Sequence, residues 1–72
     1  MINRALGQIL AAERRKLGVS QEELAFRCRL HRTYISQIER GLKSPTIGVL
    51  FELATALRTR PSALIERVEA EI

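Results

Sequence analysis

The sequence predicts an all-α fold, a compact bundle of five short helices formed by a single domain over residues 1–72. Apolar residues recur three or four positions apart in five successive stretches, as on the inner face of a helix. Glycine or proline separates several of these stretches, at Gly18, Gly41, Pro45 and Pro61. No stretch alternates apolar and polar residues in the manner of a strand, and 72 residues leave room for one small core.

The first helix, α1, is predicted from about Arg4 to Leu17. Asn3 is a suitable N-cap, because its side-chain oxygen can accept a hydrogen bond from a free amide of the first turn. Gly18 follows as a residue that can end the helix in the left-handed conformation. The expected inner stripe of α1 consists of apolar residues near helical spacing: Ile2, Leu6, Ile9, Leu10 and Leu17.

The second helix, α2, is predicted from about Gln21 to Cys28, and a capping box precedes it. The Ser20 hydroxyl can accept a hydrogen bond from the Glu23 amide, while the Glu23 carboxylate can accept one from the Ser20 amide. The residues expected to be buried on α2 are Leu24, Ala25 and Cys28.

After a short break, α3 is predicted from about Arg32 to Arg40, with His31 as a weak N-cap and Gly41 at its end. Ile35 and Ile38 are expected to face inward. Because α2 and α3 are both short and are joined by a tight turn, residues 21–40 have the outline of a helix-turn-helix.

The last two helices are α4, predicted from about Ile47 to Leu57 behind the N-cap Thr46, and α5, predicted over about 61–71. Pro61 suits the first position of α5, where its missing N–H has no intrahelical partner to lose. The expected inner face of α4 is Leu50, Leu53, Ala54 and Leu57. The apolar side of α5 is Leu64, Ile65, Val68 and Ile72.

The outer face of α3 is unusually suited to reading DNA bases. Its polar residues share one face: Arg32, Thr33, Ser36, Gln37 and Arg40. In the major groove, Arg pairs with guanine and Gln with adenine, whereas an ordinary surface helix more often carries Glu and Lys. This pattern favours a recognition helix. The spacing alone is also compatible with the alternative of a generic amphipathic helix in a small bundle.

The charge is distributed unevenly along the chain. The net charge is +4, yet nine Lys or Arg against four Glu give residues 1–46 a charge of +5, and residues 47–72 carry −1. A basic surface favours an acidic partner such as nucleic acid, and a solvated basic surface without such a partner is the alternative. With only three aromatic residues, stacking of single-stranded bases is disfavoured.

The combined motifs resemble the Cro/C1-type, or XRE, family of helix-turn-helix transcriptional regulators over nearly the whole chain. The segments that carry the resemblance are Leu6-Gly7, Arg14, 17–25 (LGVSQEELA), 34–41 (YISQIERG), Pro45-Thr46 and 53–57 (LATAL). Within this family, the segment 30–36 (LHRTYIS) is similar to the controller proteins of restriction–modification systems.

The resemblance implies roles for individual residues. The expected base readers are Arg32, Thr33, Ser36 and Gln37. The expected phosphate contacts are Gln21, Tyr34, Arg40 and Lys43, although Tyr34 could instead cover the junction of α2 and α3. Arg14 and Glu39 match a buried ion pair that ties α1 to α3. Two positions depart from the family, because Arg29 and Arg58 stand where glycine is common, which implies some strain in both turns.

The family also implies a homodimer that binds two half-sites of double-stranded DNA, with one α3 helix in each of two adjacent major grooves. Such a dimer acts as an autoregulatory repressor or activator. The expected dimer interface is Leu64, Ile65, Val68 and Ile72 of α5, extended by Ile47 and Phe51 of α4. The alternative is an antitoxin-like module that uses α5 to hold a toxin partner. No small-molecule ligand is expected.

Other function classes find little support in the sequence. One cysteine, Cys28, and one histidine, His31, do not make a metal site, so neither a metal nor another cofactor is expected. No acid–base pair or activated nucleophile can be assembled, which argues against an enzyme. Without a signal peptide or an apolar run of roughly 20 residues, we expect a cytoplasmic, bacterial or phage-encoded protein.

Overall fold

Five helices and no strand make up the computed structural model, which describes residues 1–72 and confirms the all-α fold. The helices are α1 Ile2–Lys16, α2 Gln21–Cys28, α3 Arg32–Glu39, α4 Ile47–Ala56 and α5 Pro61–Glu71. None of them is long and apolar enough to cross a lipid bilayer.

All five helices contribute to one core. Helix α1 packs on α3 and α5, α2 packs on α3 and α4, and α4 packs on α5. The largest side chains that are almost fully enclosed are Leu10, Leu24, Ile35, Ile38, Leu53 and Leu64. Because Ile35 and Ile38 of α3 belong to this set, the opposite side of α3 is left to solvent.

The N-termini of α2 and α4 are capped by hydroxyl groups. The Ser20 Oγ accepts a hydrogen bond of 3.0 Å from the Glu23 amide, and the Thr46 Oγ1 accepts one of 3.2 Å from the Val49 amide. The reciprocal half of the expected capping box is absent, because the Glu23 carboxylate accepts instead from Arg27 Nε at 3.0 Å, one turn along α2.

Helix α1 begins earlier than the sequence predicts. The Met1 carbonyl already accepts a helical hydrogen bond from the Ala5 amide, so Asn3 lies inside the first turn and does not cap it. Ile2, expected in the inner stripe, is 58% exposed because the first turn extends beyond the core.

Four helices end in the same way. A residue in the left-handed conformation follows each helix, and the amide of the next residue donates a hydrogen bond to the carbonyl five positions earlier. Gly18 and Gly41 occupy this place after α1 and α3, with φ of 72° and 77°. After α2 and α4 it is occupied by Arg29 and Arg58, with φ of 56° and 59°. A left-handed conformation costs a residue with a Cβ roughly 1 kcal/mol more than glycine, so both arginine turns are strained.

Candidate nucleic-acid interface

The outer face of α3 presents polar side chains to solvent over its whole length. Arg32, Thr33 and Arg40 are exposed, and Ser36 and Gln37 are half-buried at the edge of the same face. Guanidinium, amide and hydroxyl groups at these positions can donate hydrogen bonds to base edges or phosphates, and the amide and hydroxyl groups can also accept them. Because the other side of α3 is locked into the core, this face is a rigid, polar ridge.

The four expected phosphate contacts lie around this ridge in different settings. Lys43 is exposed in the loop after α3, and Arg40 is exposed at the C-terminal end of α3. Tyr34 is half-buried, and its ring packs against the core. Gln21 is half-buried at the start of α2, where its side-chain amide Nε2 donates to Glu39 Oε1 at 2.9 Å.

A buried ion pair joins α1 to α3. Arg14 Nε donates to Glu39 Oε2 at 2.7 Å and Arg14 Nη2 donates to Glu39 Oε1 at 3.1 Å, with 10% and 6% of the two side chains exposed. The hydrogen bond with Glu39 raises the pKa of Arg14 above its ordinary value, although burial acts against it. Arg14 Nη1 also donates to the Val19 carbonyl at 2.9 Å, which ties in the loop before α2.

This pair and Gln21 together form a polar network that connects three helices. Glu39 of α3 accepts hydrogen bonds from Arg14 of α1 and from Gln21 of α2, so every charge in the buried part of the network has a partner. The sequence pattern gave no indication of the Gln21–Glu39 bond, since residues from different helices meet there only after folding.

Gly7 sets the distance between α1 and α3. A Cβ added at this position would stand 2.3 Å from the Ile38 carbonyl oxygen and 2.6 Å from that of Glu39. Both neighbours are backbone atoms that cannot rotate away, so only glycine permits the two helices to approach this closely. As a result, the outward residues of α1 border the C-terminal half of α3.

A groove of about 270 Å³ lies along this border. Its walls are formed by residues of α1, α2 and α3: Gln8, Ala11, Arg15, Gln21, Ser36, Glu39 and Arg40. Sequence reasoning missed Gln8 and Arg15. Gln8 lies three residues before Ala11 and Arg15 lies four residues after it, so all three share one face of α1. This spacing is the signal that could have identified them.

Cys28 and His31 lie in different environments. Cys28 is buried on α2, where its thiol approaches the Glu52 carbonyl at 3.7 Å and burial raises its pKa. His31 is exposed and precedes α3 without a side-chain capping bond. Cys28 is therefore a core residue.

On the far side of the molecule, the expected dimer interface needs correction. Leu64 and Val68 are 1% and 5% exposed, so the expectation that they face a partner is wrong. The reason is that α5 packs against α1 and α4 with the side that carries these two residues, which complete the chain's own core.

Other apolar side chains are exposed on this side. Ile47 and Phe51 of α4 and Ile65 of α5 are 70%, 56% and 41% exposed, and we call these three residues the apolar patch. They line a groove of about 510 Å³ together with Arg60, Glu66 and Glu69, among others. Ile72, which ends the chain, is also exposed.

Comparison with known proteins places this geometry among DNA-binding regulators. The model of the helix-turn-helix family HTH_3 matches residues 10–64. The control protein C.BamHI of Bacillus amyloliquefaciens is 45% identical over 51 residues, which are 71% of this chain and 63% of that protein, just under two thirds of its length. The control protein C.SmaI of Serratia marcescens is 38% identical over 66 residues, or 92% of this chain and 79% of that protein.

A solved structure resembles the whole chain. It is the restriction–modification controller protein C.Esp1396I, crystallised as a tetramer in complex with its natural 35-base-pair operator. The TM-score is 0.85 at 30% identity, and the match covers 99% of this chain and 93% of that one.

Proposed function

Because the chain belongs to the helix-turn-helix family HTH_3, we propose that it is a transcriptional regulator that recognises a double-stranded DNA operator as a homodimer. The observation that carries this proposal is the exposed polar face of α3, backed by Ile35 and Ile38 in the core and held in place by the Arg14–Glu39 pair. A helix fixed in this way can enter a major groove without being reordered on binding.

In this proposal the side chains that contact DNA divide into two groups. Arg32, Thr33, Ser36 and Gln37 lie along the outer face and read base edges in the major groove. A second group around this face contacts phosphates and sets the register on the duplex without reading sequence: Gln21, Tyr34, Arg40 and Lys43.

A second copy of the chain covers the apolar patch. Three exposed apolar side chains on adjacent helices favour an apolar partner surface, which a symmetric dimer supplies from the same residues. Arg60, Glu66 and Glu69 line the same groove, so opposite charges are available to pair across a two-fold axis. Two linked α3 helices then reach half-sites about one helical turn apart.

The proposed biological role is inferred from the relatives. C.BamHI and C.SmaI are control proteins, and C.Esp1396I is a controller of a restriction–modification system that binds an operator. We propose that this chain acts likewise in the cytoplasm, as a regulator of its own gene and its neighbours and not as an enzyme. The relatives give no support to an antitoxin function.

The test is a gel-shift titration with DNA from immediately upstream of the gene, in the presence of non-specific competitor and at two salt concentrations. We expect a discrete, competitor-resistant complex with dimer stoichiometry. If binding is weak, independent of sequence and abolished by salt, the basic charge alone accounts for it and the proposed function fails.

The division of roles has its own test in a matched pair of variants. Arg32→Ala should cost about 1–3 kcal/mol on the operator and relax the preference at one base pair, whereas Lys43→Ala should weaken binding to all sequences alike. Affinities on the operator and on operators with single base changes measure this difference. Equal losses on every sequence would contradict the assignment of Arg32.

A further inference from the structure

The groove between α1, α2 and α3 has the composition of an anion site. Two arginines, Arg15 of α1 and Arg40 directly after α3, line its walls, and neither belongs to any ion pair of the chain. The side chain of Arg15 makes no hydrogen bond, and that of Arg40 makes only a long one of 3.4 Å to the Ser36 carbonyl. Both guanidinium groups are therefore free to bind an anion.

The one acidic residue in the groove does not oppose an anion there. Glu39 receives two hydrogen bonds from Arg14 and one from Gln21, and its charge is balanced by the Arg14 guanidinium directly behind it. Two arginines and one glutamate line the groove, and Arg14, which is outside the lining, neutralises that glutamate, so the four residues together carry a formal charge of +2.

Neutral donors complete the lining. The Gln8 amide and the second N–H of Gln21 Nε2 can each donate to an oxygen. Ala11 lies between Gln8 and Arg15 on α1, and its small side chain leaves the space open. A tetrahedral anion with several acceptor oxygens matches such a ring of donors, and arginine binds phosphate oxygens in pairs.

We propose that this groove binds one phosphate of the operator backbone, so that Arg15 and Gln8 bring α1 into the DNA contact. The inference rests on the proposed function and adds two residues to it. The occupant is a DNA phosphate because the groove opens beside Ser36 and Arg40, on the same side of the molecule as the α3 ridge. The close approach at Gly7 makes this neighbourhood of α1 and α3 rigid.

The test compares two substitutions at neighbouring positions of α1, each of which removes a positive charge. Arg15→Gln and Lys16→Gln each remove one positive charge from an exposed residue, but only Arg15 lines the groove. For Arg15→Gln we expect about a tenfold loss of operator affinity per subunit. The slope of log K against log salt should fall by about 0.9 per subunit, because one phosphate contact is lost.

Lys16→Gln should leave both quantities close to wild type, and Gln8→Ala should weaken binding several-fold while leaving the salt slope unchanged. In a scan of operators with single methylphosphonates, one position per half-site should impair the wild type and should impair Arg15→Gln less, because Arg15 no longer contributes to that contact. If Arg15→Gln and Lys16→Gln behave alike, the phosphate site is wrong while the proposed function stands. If the wild type does not bind its operator specifically, the proposed function itself fails.

Discussion

The two faces of this molecule are built by different means. On the side of α1, α2 and α3, the polar network of Arg14, Glu39 and Gln21 joins three helices, and the exposed residues are mostly polar. On the side of α4 and α5, no side-chain hydrogen bond joins the two helices, and the exposed residues include the apolar patch. The first face is organised around a polar network whose partners all lie within one chain, whereas the second groups three exposed apolar side chains on two adjacent helices. The molecule thus has a rigid polar surface on one side and an exposed apolar patch on the other, and exposed apolar patches of this kind are typical of interaction sites.

The largest expected effect tests the distinction between core and interface residues on α5, using the neighbours Leu64 and Ile65. Leu64→Asp places a charge without a partner in the core, and we expect a loss of more than about 4 kcal/mol, enough to unfold a domain of this size. Ile65→Asp changes an exposed side chain, so the chain should stay folded but fail to dimerise. Circular dichroism and sedimentation equilibrium measure the two effects. A folded Leu64→Asp protein, or a dimeric Ile65→Asp protein, would remove the distinction between core and interface.

The next largest effect concerns the ion pair behind α3. Glu39→Ala leaves the Arg14 guanidinium buried without its partner, and we expect a loss of about 3–5 kcal/mol in the free energy of unfolding. Glu23→Ala removes a carboxylate from the exposed pair with Arg27, where the loss should stay below about 1 kcal/mol. Urea denaturation of both variants gives the comparison, and losses of similar size would mean that burial of the pair contributes nothing.

The smallest expected effect concerns the strained arginine turn that each face contains. Arg29→Gly and Arg58→Gly remove the strain of a left-handed arginine, one beside α3 and one between α4 and α5. Each should raise the free energy of unfolding by about 1 kcal/mol, reduced somewhat by the greater freedom of glycine in the unfolded chain. Thermal unfolding is the measurement. A loss of stability in either variant would show that the arginine side chain stabilises its turn more than the backbone strain costs.

Periodicity and turn residues were enough to predict five helices and to place most of their ends within one or two residues. The partners of each apolar side chain were not predictable in the same way. The α5 stripe contains Leu64, Ile65 and Val68, and only the packing of α5 on α1 and α4 decides that two of them enter the core. Long-range contacts such as Gln21 with Glu39 were also beyond the sequence, because no local pattern encodes them.

The backbone contact at Gly7 has a consequence for how such a protein can change its target. Since α1 meets α3 through carbonyl oxygens of Ile38 and Glu39, the docking of α3 does not depend on the side chains of its outer face. New residues at Arg32, Thr33 and Gln37 would therefore leave the scaffold unchanged. If these residues read the operator as proposed, substitutions on a single helix would change the preferred DNA sequence without changing the architecture.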